Sequence, residues 1–389
     1  MGIHAVSQGL LVSELSDGSA GLIASVTLCM FLPTLLFAFE AGKIADRFPK
    51  RRTLIGCQLG IAASSLLLAG LCFAGTVVYW HVCAIAFATG LMIVLDTPAR
   101  DTYVAETVGR QSLQNSQALE LGIRSGGLIV GSLIAGLMLL KFEYAWAFFI
   151  NGIAFLFQAL LLARIRDSRR SVWNGERVRL RDLVDTVRGS PRLLALFILA
   201  FALYFFSTAY VPLLPAFAPL LGDNEKLILS WLYTSMGIGA FLGPVLVILA
   251  GRTAIPSKVI PIVMFGHPLF ILIFSLSGTL TLSLVAVAAA TLSGGATMAL
   301  VRTSILELSP RSLRGRIMGL LTWIVSGWMP VGGFVAGWLA EGLLGVGRAM
   351  AIFAGMALVI CGICGVLLNR YARDASVRPN MTADPEVKM

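Results

Sequence analysis

Ser125-Gly126-Gly127-Leu128-Ile129-Val130-Gly131-Ser132-Leu133-Ile134-Ala135-Gly136 returns 201 residues later as Ser326-Gly327-Trp328-Met329-Pro330-Val331-Gly332-Gly333-Phe334-Val335-Ala336-Gly337. Six of the twelve positions are identical. The same offset carries Glu106 onto Glu307, and one residue of slippage aligns Arg100 with Arg302. An internal repeat of this period means a duplicated unit. Both copies lie in long apolar stretches, and the small residues at intervals of four or five suit close helix contact within lipid.

Outward from the repeat, the whole chain is apolar. It has 389 residues, 57% hydrophobic and only 13% charged, with a mean hydropathy of +0.86. Apolar runs lie near 20–45, 53–74, 76–98, 115–140, 143–163, 192–218, 227–250, 258–278, 281–304, 313–340 and 349–369. Each is long enough to cross ~30 Å of hydrocarbon as a helix. Period-two alternation is absent, and open sheet edges are forbidden in lipid. The expected class is an all-α polytopic membrane protein.

The segment Met1 to Leu15 completes a set of twelve but reaches only about 22 Å. It carries His4, Ser7 and Gln8. The reading is a first helix truncated at its N-terminus. The expected organisation is a six-helix bundle over 1–163, an Arg-rich cytoplasmic linker over 164–191, a second six-helix bundle over 192–369, and a tail over 370–389. Within the linker, Val178 to Val184 reads as an amphipathic surface helix.

The net charge of +10 invites a nucleic-acid reading, which its distribution excludes. Of the 30 basic residues, 26 fall on one alternating set of connections. The opposite set holds only Lys141, Lys226 and Arg348. This is the positive-inside pattern, so the connections after the even-numbered spans and the C-terminus are expected in the cytoplasm. The six cysteines lie within spans, and Cys361-x-x-Cys364 has no third ligand, so no metal site is expected. There is no phosphate loop, no H-E-x-x-H and no nucleophile elbow, which argues against an enzyme.

The connection after the second span reads Gly42-Lys43-Ile44-Ala45-Asp46-Arg47-Phe48-Pro49-Lys50-Arg51-Arg52. It resembles the G-x-L-A-D-R-x-G-R-R/K signature of the major facilitator superfamily, with Pro49 at the place of the second glycine. Leu95 to Arg100, Leu113-Gln114-Asn115, and Leu313-Arg314-Gly315-Arg316-Ile317-Met318-Gly319 resemble the branch that holds the enterobactin exporter and the macrolide efflux proteins. The resemblance implies two six-helix bundles that alternate access to a midplane site. It also implies a cytoplasmic gate of Gly42, Asp46, Arg47, Arg51, Asp96, Arg100, Glu106, Arg302, Glu307, Arg314 and Arg316, with Asp96 paired to Arg47 or Arg51. Gly127, Gly131, Ser132, Ala135 and Gly136 look like the G-x-x-x-G-P-x-x-G-G motif of proton-exchanging exporters, with Ser132 for the proline and Ala135 for one glycine. That motif is read here as a helix-packing element.

Glu120 and Arg124 sit one turn apart on the face of the fifth span that carries Gly127, Gly131 and Ala135. Charge at this depth is costly unless paired or wet. The pair is the expected site of proton coupling or substrate-charge recognition, or else a buried packing pair. Gln8, Tyr204, Phe205, Tyr210 and Trp231 are expected to line a substrate cavity. His267-Pro268 reads as a kink with a satisfied imidazole, and Glu341 as an interfacial end.

Together these imply proton-coupled export of a small amphipathic molecule, such as a drug or siderophore, from a bacterial inner membrane. The proton gradient would be the energy source, without a cofactor, nucleic acid or metal, and the chain would act as a monomer in the bilayer. A membrane sensor or scaffold, or an importer or lipid flippase, is the alternative on the same fold.

Overall fold

The computed structural model describes residues 2–108, 113–165, 180–249, 260, 263–310 and 313–377. Its helices are α1 (Gly2–Leu15), α2 (Ala20–Arg47), α3 (Lys50–Phe73), α4 (Tyr79–Val108), α5 (Leu113–Leu139), α6 (Tyr144–Arg164), α7 (Leu180–Gly189) and α8 (Pro191–Phe205). Short 3-10 turns and α9 (Leu214–Phe217) prolong α8 as far as Leu221. Then come α10 (Glu225–Leu249), α11 (Gly266–Ser275), α12 (Leu280–Leu308), α13 (Arg314–Leu339) and α14 (Gly345–Val377). No strand occurs among the described residues.

Ten helical stretches among the described residues are long and apolar enough to span a bilayer. α1 and α11, at 14 and 10 residues, fall short of that length and occupy the places of the first and ninth expected spans. Residues 250–259, which include the start of the ninth expected span at 258, lie outside the described set, as do 166–179 of the Arg-rich linker and the end of the tail.

Three of the helices begin on a side chain that caps them. Ser190 accepts the Leu193 N–H at 3.5 Å ahead of Pro191. Asn224 Oδ1 accepts the Leu227 N–H at 3.3 Å, and Ser19 Oγ accepts the Leu22 N–H at 3.2 Å. Each satisfies one of the donors that a helix start leaves free.

The helices gather as two halves. In the first, α2 packs on α4, α3 on α4 and α6, and α1 between α5 and α6; in the second, α10 and α11 pack on α12, and α8 on α13 and α14. The halves meet along two flanks, α2 against α13 and α5 against α10. The connections alternate between two ends. One end carries Lys50, Arg51, Arg52, Arg164, Arg314 and Arg316 and is called the basic end below.

The repeat explains both flanks. Gly131 lies against Gly2 and Ile3 of α1, and its counterpart Gly332 lies against the Phe205 carbonyl in α8; each is the docking point of a half's first helix on its fifth. Gly136 lies against Ser230 of α10, and its counterpart Gly337 against Ala20 and Ala24 of α2; each faces the opposite half. A Cβ at Gly136, Gly332 or Gly337 would collide with a neighbour, and one at Gly131 would stand in tight contact, 3.1 Å from the backbone of α1, so the identical glycines serve equivalent contacts. Ala135 and Ala336 are both fully buried.

Candidate functional site

The α5–α10 flank is polar as well as tight. Ser132 Oγ is 2.8 Å from Thr234 Oγ1, and Ser230 Oγ donates to the Ser132 carbonyl at 2.6 Å. Ser132 is therefore more than a spacer: where the resembled motif has a proline, this chain has a hydroxyl that bonds across the halves. Gly127, in contrast, has open space before it and packs against nothing. The expected packing motif is thus carried by Gly131, Ser132, Ala135 and Gly136, and Gly127 drops out of it.

Glu120 and Arg124 pair at 2.7 Å, with a second bond from Arg124 Nε to Glu120 Oε1 at 2.9 Å. Their side chains are 31% and 49% exposed, so this is a wet pair and not a sealed one. It lies closer to the basic end, on the same face of α5 by which Gly131 meets α1. Asp101 of α4 feels the charges of Glu120, Arg124 and Arg100, and that of Arg302 from the opposite half. Asp101 escaped notice in the sequence because it reads as one more charge in a basic-end connection.

Asp96 is buried at the α3–α4 contact. Arg100 clasps it, with Nε to Oδ2 at 3.0 Å and Nη2 to Oδ2 at 2.7 Å, and Gln58 Nε2 donates to Oδ1 at 2.8 Å. Gln58 is fully buried and was not anticipated. Its signal was an amide in the middle of an apolar run. Arg51 does not pair with Asp96. Its Nε donates to the Leu162 carbonyl at 3.0 Å and its Nη2 to the Ala163 carbonyl, at the end of α6. Those carbonyls lack helical partners, and a cation there also answers the helix dipole. Gly42, Asp46, Arg47 and Glu106 lie on helical backbone whose side chains are outside the described set. Arg314 donates from Nε to the Ser309 carbonyl at 3.3 Å, Arg302 and Glu307 are exposed, and Arg316 is half-buried.

The aromatic expectations divide. Phe205 stacks on Phe201 with ring centroids 5.1 Å apart, and Trp328 stands 5.7 Å from Phe201 and 6.0 Å from Trp323. Trp323 then donates to the Leu35 carbonyl across the halves at 3.0 Å. This half-buried ladder runs from α8 through α13 to α2, with Tyr204 also half-buried nearby on α8. Tyr210 is not a lining residue. It is 1% exposed, and its ring meets Phe274 inside the second half. The reason is that α8 gives way to 3-10 turns after Phe205, which shifts the rotation of everything beyond.

Trp231 also fails as a lining residue. It shares a stripe with Ile238, Leu242 and Leu249, all exposed and all apolar, about a quarter-turn from Lys226, Ser230, Thr234 and Gly237, which face α5. A wholly apolar exposed stripe on a spanning helix suits lipid. Gln8 is half-buried on α1. His267 bonds the Ala290 carbonyl through Nδ1 at 2.7 Å and is buried in the second half.

No cluster of three metal-ligating side chains occurs among the described residues. The arrangement offers instead a seam between two similar halves, with charge and aromatic surface on its walls.

Comparison with known proteins agrees with this geometry. Part of the chain is similar to macrolide efflux protein A of Streptococcus pyogenes, 24% identical over 164 residues, which is 42% of this chain and 40% of that protein. It is also similar to macrolide efflux protein A of Enterococcus faecalis, 27% identical over 121 residues, 31% of this chain and 37% of that protein. The matched region thus spans about two-fifths of the length of these relatives. The fold is similar to the nucleoside transporter NupG, with a TM-score of 0.74 at 13% identity over 94% of this chain and 95% of that one. It is similar too to a bacterial homologue of the human lysosomal transporter Spinster, with a TM-score of 0.65 at 14% identity over 96% of this chain and 95% of that one. The family model described as Major Facilitator Superfamily matches residues 3–326, most of the chain, and this protein belongs to that superfamily.

Proposed function

We propose that the chain is a secondary active exporter of small amphipathic molecules, working by alternating access and driven by protons. The observation that carries this reading is the repeated seam. Gly136 and Gly337 make the same contact on two flanks, so the halves can rock about a central axis without new contacts being invented. Asp101 feels the charges of the Glu120–Arg124 pair in its own half and of Arg302 in the other. A partly wet carboxylate within such a set can bind and release a proton as the cavity changes sides, and so bias the two states. The aromatic ladder offers a flat apolar wall of the kind an amphipathic substrate needs. Export, not import, is favoured by the similarity to macrolide efflux proteins and by the small-residue motif of α5, and macrolides enter here as one substrate class among amphipaths.

The bias of basic residues supports a topology with the basic end in the cytoplasm of a bacterial cell and the opposite end outside. The chain is sufficient as a monomer, since both halves of the seam are supplied in one polypeptide. Everted membrane vesicles test the proposal. Uptake of ethidium or a macrolide that collapses when the proton gradient is dissipated supports proton-coupled export. Flux that ignores the gradient sinks the coupling, and a complete absence of flux favours a sensor.

A further inference from the structure

We propose that two helix termini of the first half are capped by charged side chains of the second, and that these cross-half caps form the latch that must release before the end opposite the basic end can open. The proposal rests on alternating access but not on substrate, direction or coupling ion.

The first cap joins α2 to the end of α13. Ser19 accepts the Leu22 N–H, as an ordinary N-cap does, but its own hydroxyl donates to Glu341 Oε1 at 2.7 Å. The other carboxylate oxygen, Oε2, accepts the Gly21 N–H at 3.1 Å. In a capping box the glutamate comes from the same helix. Here it comes from 320 residues away, in the opposite half. The fit is built for it. A Cβ on Gly21 would collide with Glu341 Oε2 and stand 2.9 Å from Trp338, so glycine at residue 21 leaves the carboxylate its place against the backbone. Anionic charge at a helix start is also electrostatically favoured.

The second cap is the mirror of the first in charge. Lys226, in the first turn of α10, donates to the Leu139 carbonyl at 2.9 Å, at the last residue of α5, and lies 5.7 Å over the Tyr144 ring. A cation at a helix C-terminus satisfies a free carbonyl and answers the negative end of the dipole. One half therefore supplies both an anion for a helix start and a cation for a helix end, on the two flanks of a single seam. If the halves separate at this end, both sets of backbone groups lose their caps together. Glu341 is exposed and Lys226 half-buried, so water can replace each cap at modest cost, as a reversible latch requires.

The test reads opening at a distance from Glu341. Ser230 is 1% exposed and sits on the α5–α10 flank, so the nearly isosteric Ser230→Cys is a reporter for an impermeant thiol reagent added outside intact cells. Labelling is scored against the same chain without that cysteine. Ser19→Ala and Glu341→Gln, on the far flank, are expected to raise labelling by about threefold, because loss of a charge-assisted hydrogen bond shifts a two-state balance by at least that much. Lys226→Met should do likewise, and Arg348→Gln, which removes an unrelated exposed charge at the same end, should not. Packing damage confined to Glu341 would leave a reporter on the other flank unmoved. Ser19→Ala removes a single hydroxyl and keeps the measurement possible where Glu341→Gln does not accumulate in membranes. Parental labelling in Ser19→Ala and in Lys226→Met overturns the latch, provided Ser230→Cys is itself labelled above the background of the chain without it. No labelling of Ser230→Cys in the parent or in any variant, however long the exposure, means that this flank never opens outward, and overturns alternating access and the latch with it.

Discussion

Ser132 and Thr234 touch through their hydroxyls, 2.8 Å apart, at the one place where α5 and α10 come close enough for Gly136 to rest on Ser230. The seam is therefore a polar contact set within a small-residue contact. Ser132→Ala removes the first and leaves the second. Hydrogen bonds between spanning helices are worth about 0.6 kcal/mol, so transport should fall only two- to threefold, roughly. Gly136→Val leaves the hydroxyls and fills the contact, which costs of order 1–3 kcal/mol in a packed site and holds the flank apart. That variant should insert in the membrane yet carry under about a tenth of the parental flux. Vesicle flux normalised to protein in the membrane checks both, and equal effects from the two would refute the division.

Asp96 answers to Arg100 and Gln58. Asp96→Asn keeps the shape and leaves the Arg100 guanidinium without its counter-charge in a largely enclosed site, a loss of about 3 kcal/mol by analogy with other broken buried pairs. Flux should drop at least about tenfold, with lower thermal stability in detergent. Gln58→Leu removes one bond to a charged group and should cost less, roughly 1.5 kcal/mol. A larger effect from Gln58→Leu than from Asp96→Asn would show that the pair with Arg100 is not the dominant interaction.

Glu120→Gln separates coupling from movement. The variant should lose accumulation driven by a proton gradient while still exchanging substrate down its own gradient, because Arg124 is exposed enough for water to replace its partner and the seam contacts are untouched. Vesicles assayed with and without an imposed gradient read the two quantities independently. Unchanged driven flux would move the coupling role to another carboxylate, and Asp101, in the same charge set, is the next to substitute.

Trp328 and Phe205 form the middle of the aromatic ladder. Trp328→Ala should raise the KM for an aromatic dye about three- to tenfold with a smaller change in maximal rate, since the wall binds substrate without taking part in movement. Trp231→Ala, on the apolar outer stripe, should leave KM alone. A KM effect from Trp231 and none from Trp328 would place the binding wall elsewhere.

Much of this architecture was legible before any coordinate. Hydropathy marked the spans because lipid demands unbroken apolar helices, and the repeat marked the seam because small residues recur at its contacts. What escaped depends on partners far away in sequence. The basic cluster at Arg51 suggested a carboxylate, yet its ligands are two backbone carbonyls at the end of α6, which no side-chain pattern announces. Gln58 looked like an isolated polar residue because its partner lies 38 positions on. Tyr210 and Trp231 share the composition of a lining residue, but rotation decides which way a ring points. A 3-10 stretch and a helical stripe set that rotation.

The pairing of Gly136 with Gly337 has a historical consequence. Two copies of one six-helix unit, each offering its fifth helix to the other's second, would bury the same contact twice around a shared dyad. An ancestral dimer of that kind needed no fresh interface when its genes fused, only a tether, and the Arg-rich stretch between Arg164 and Arg192 stands where that tether would have been spliced in.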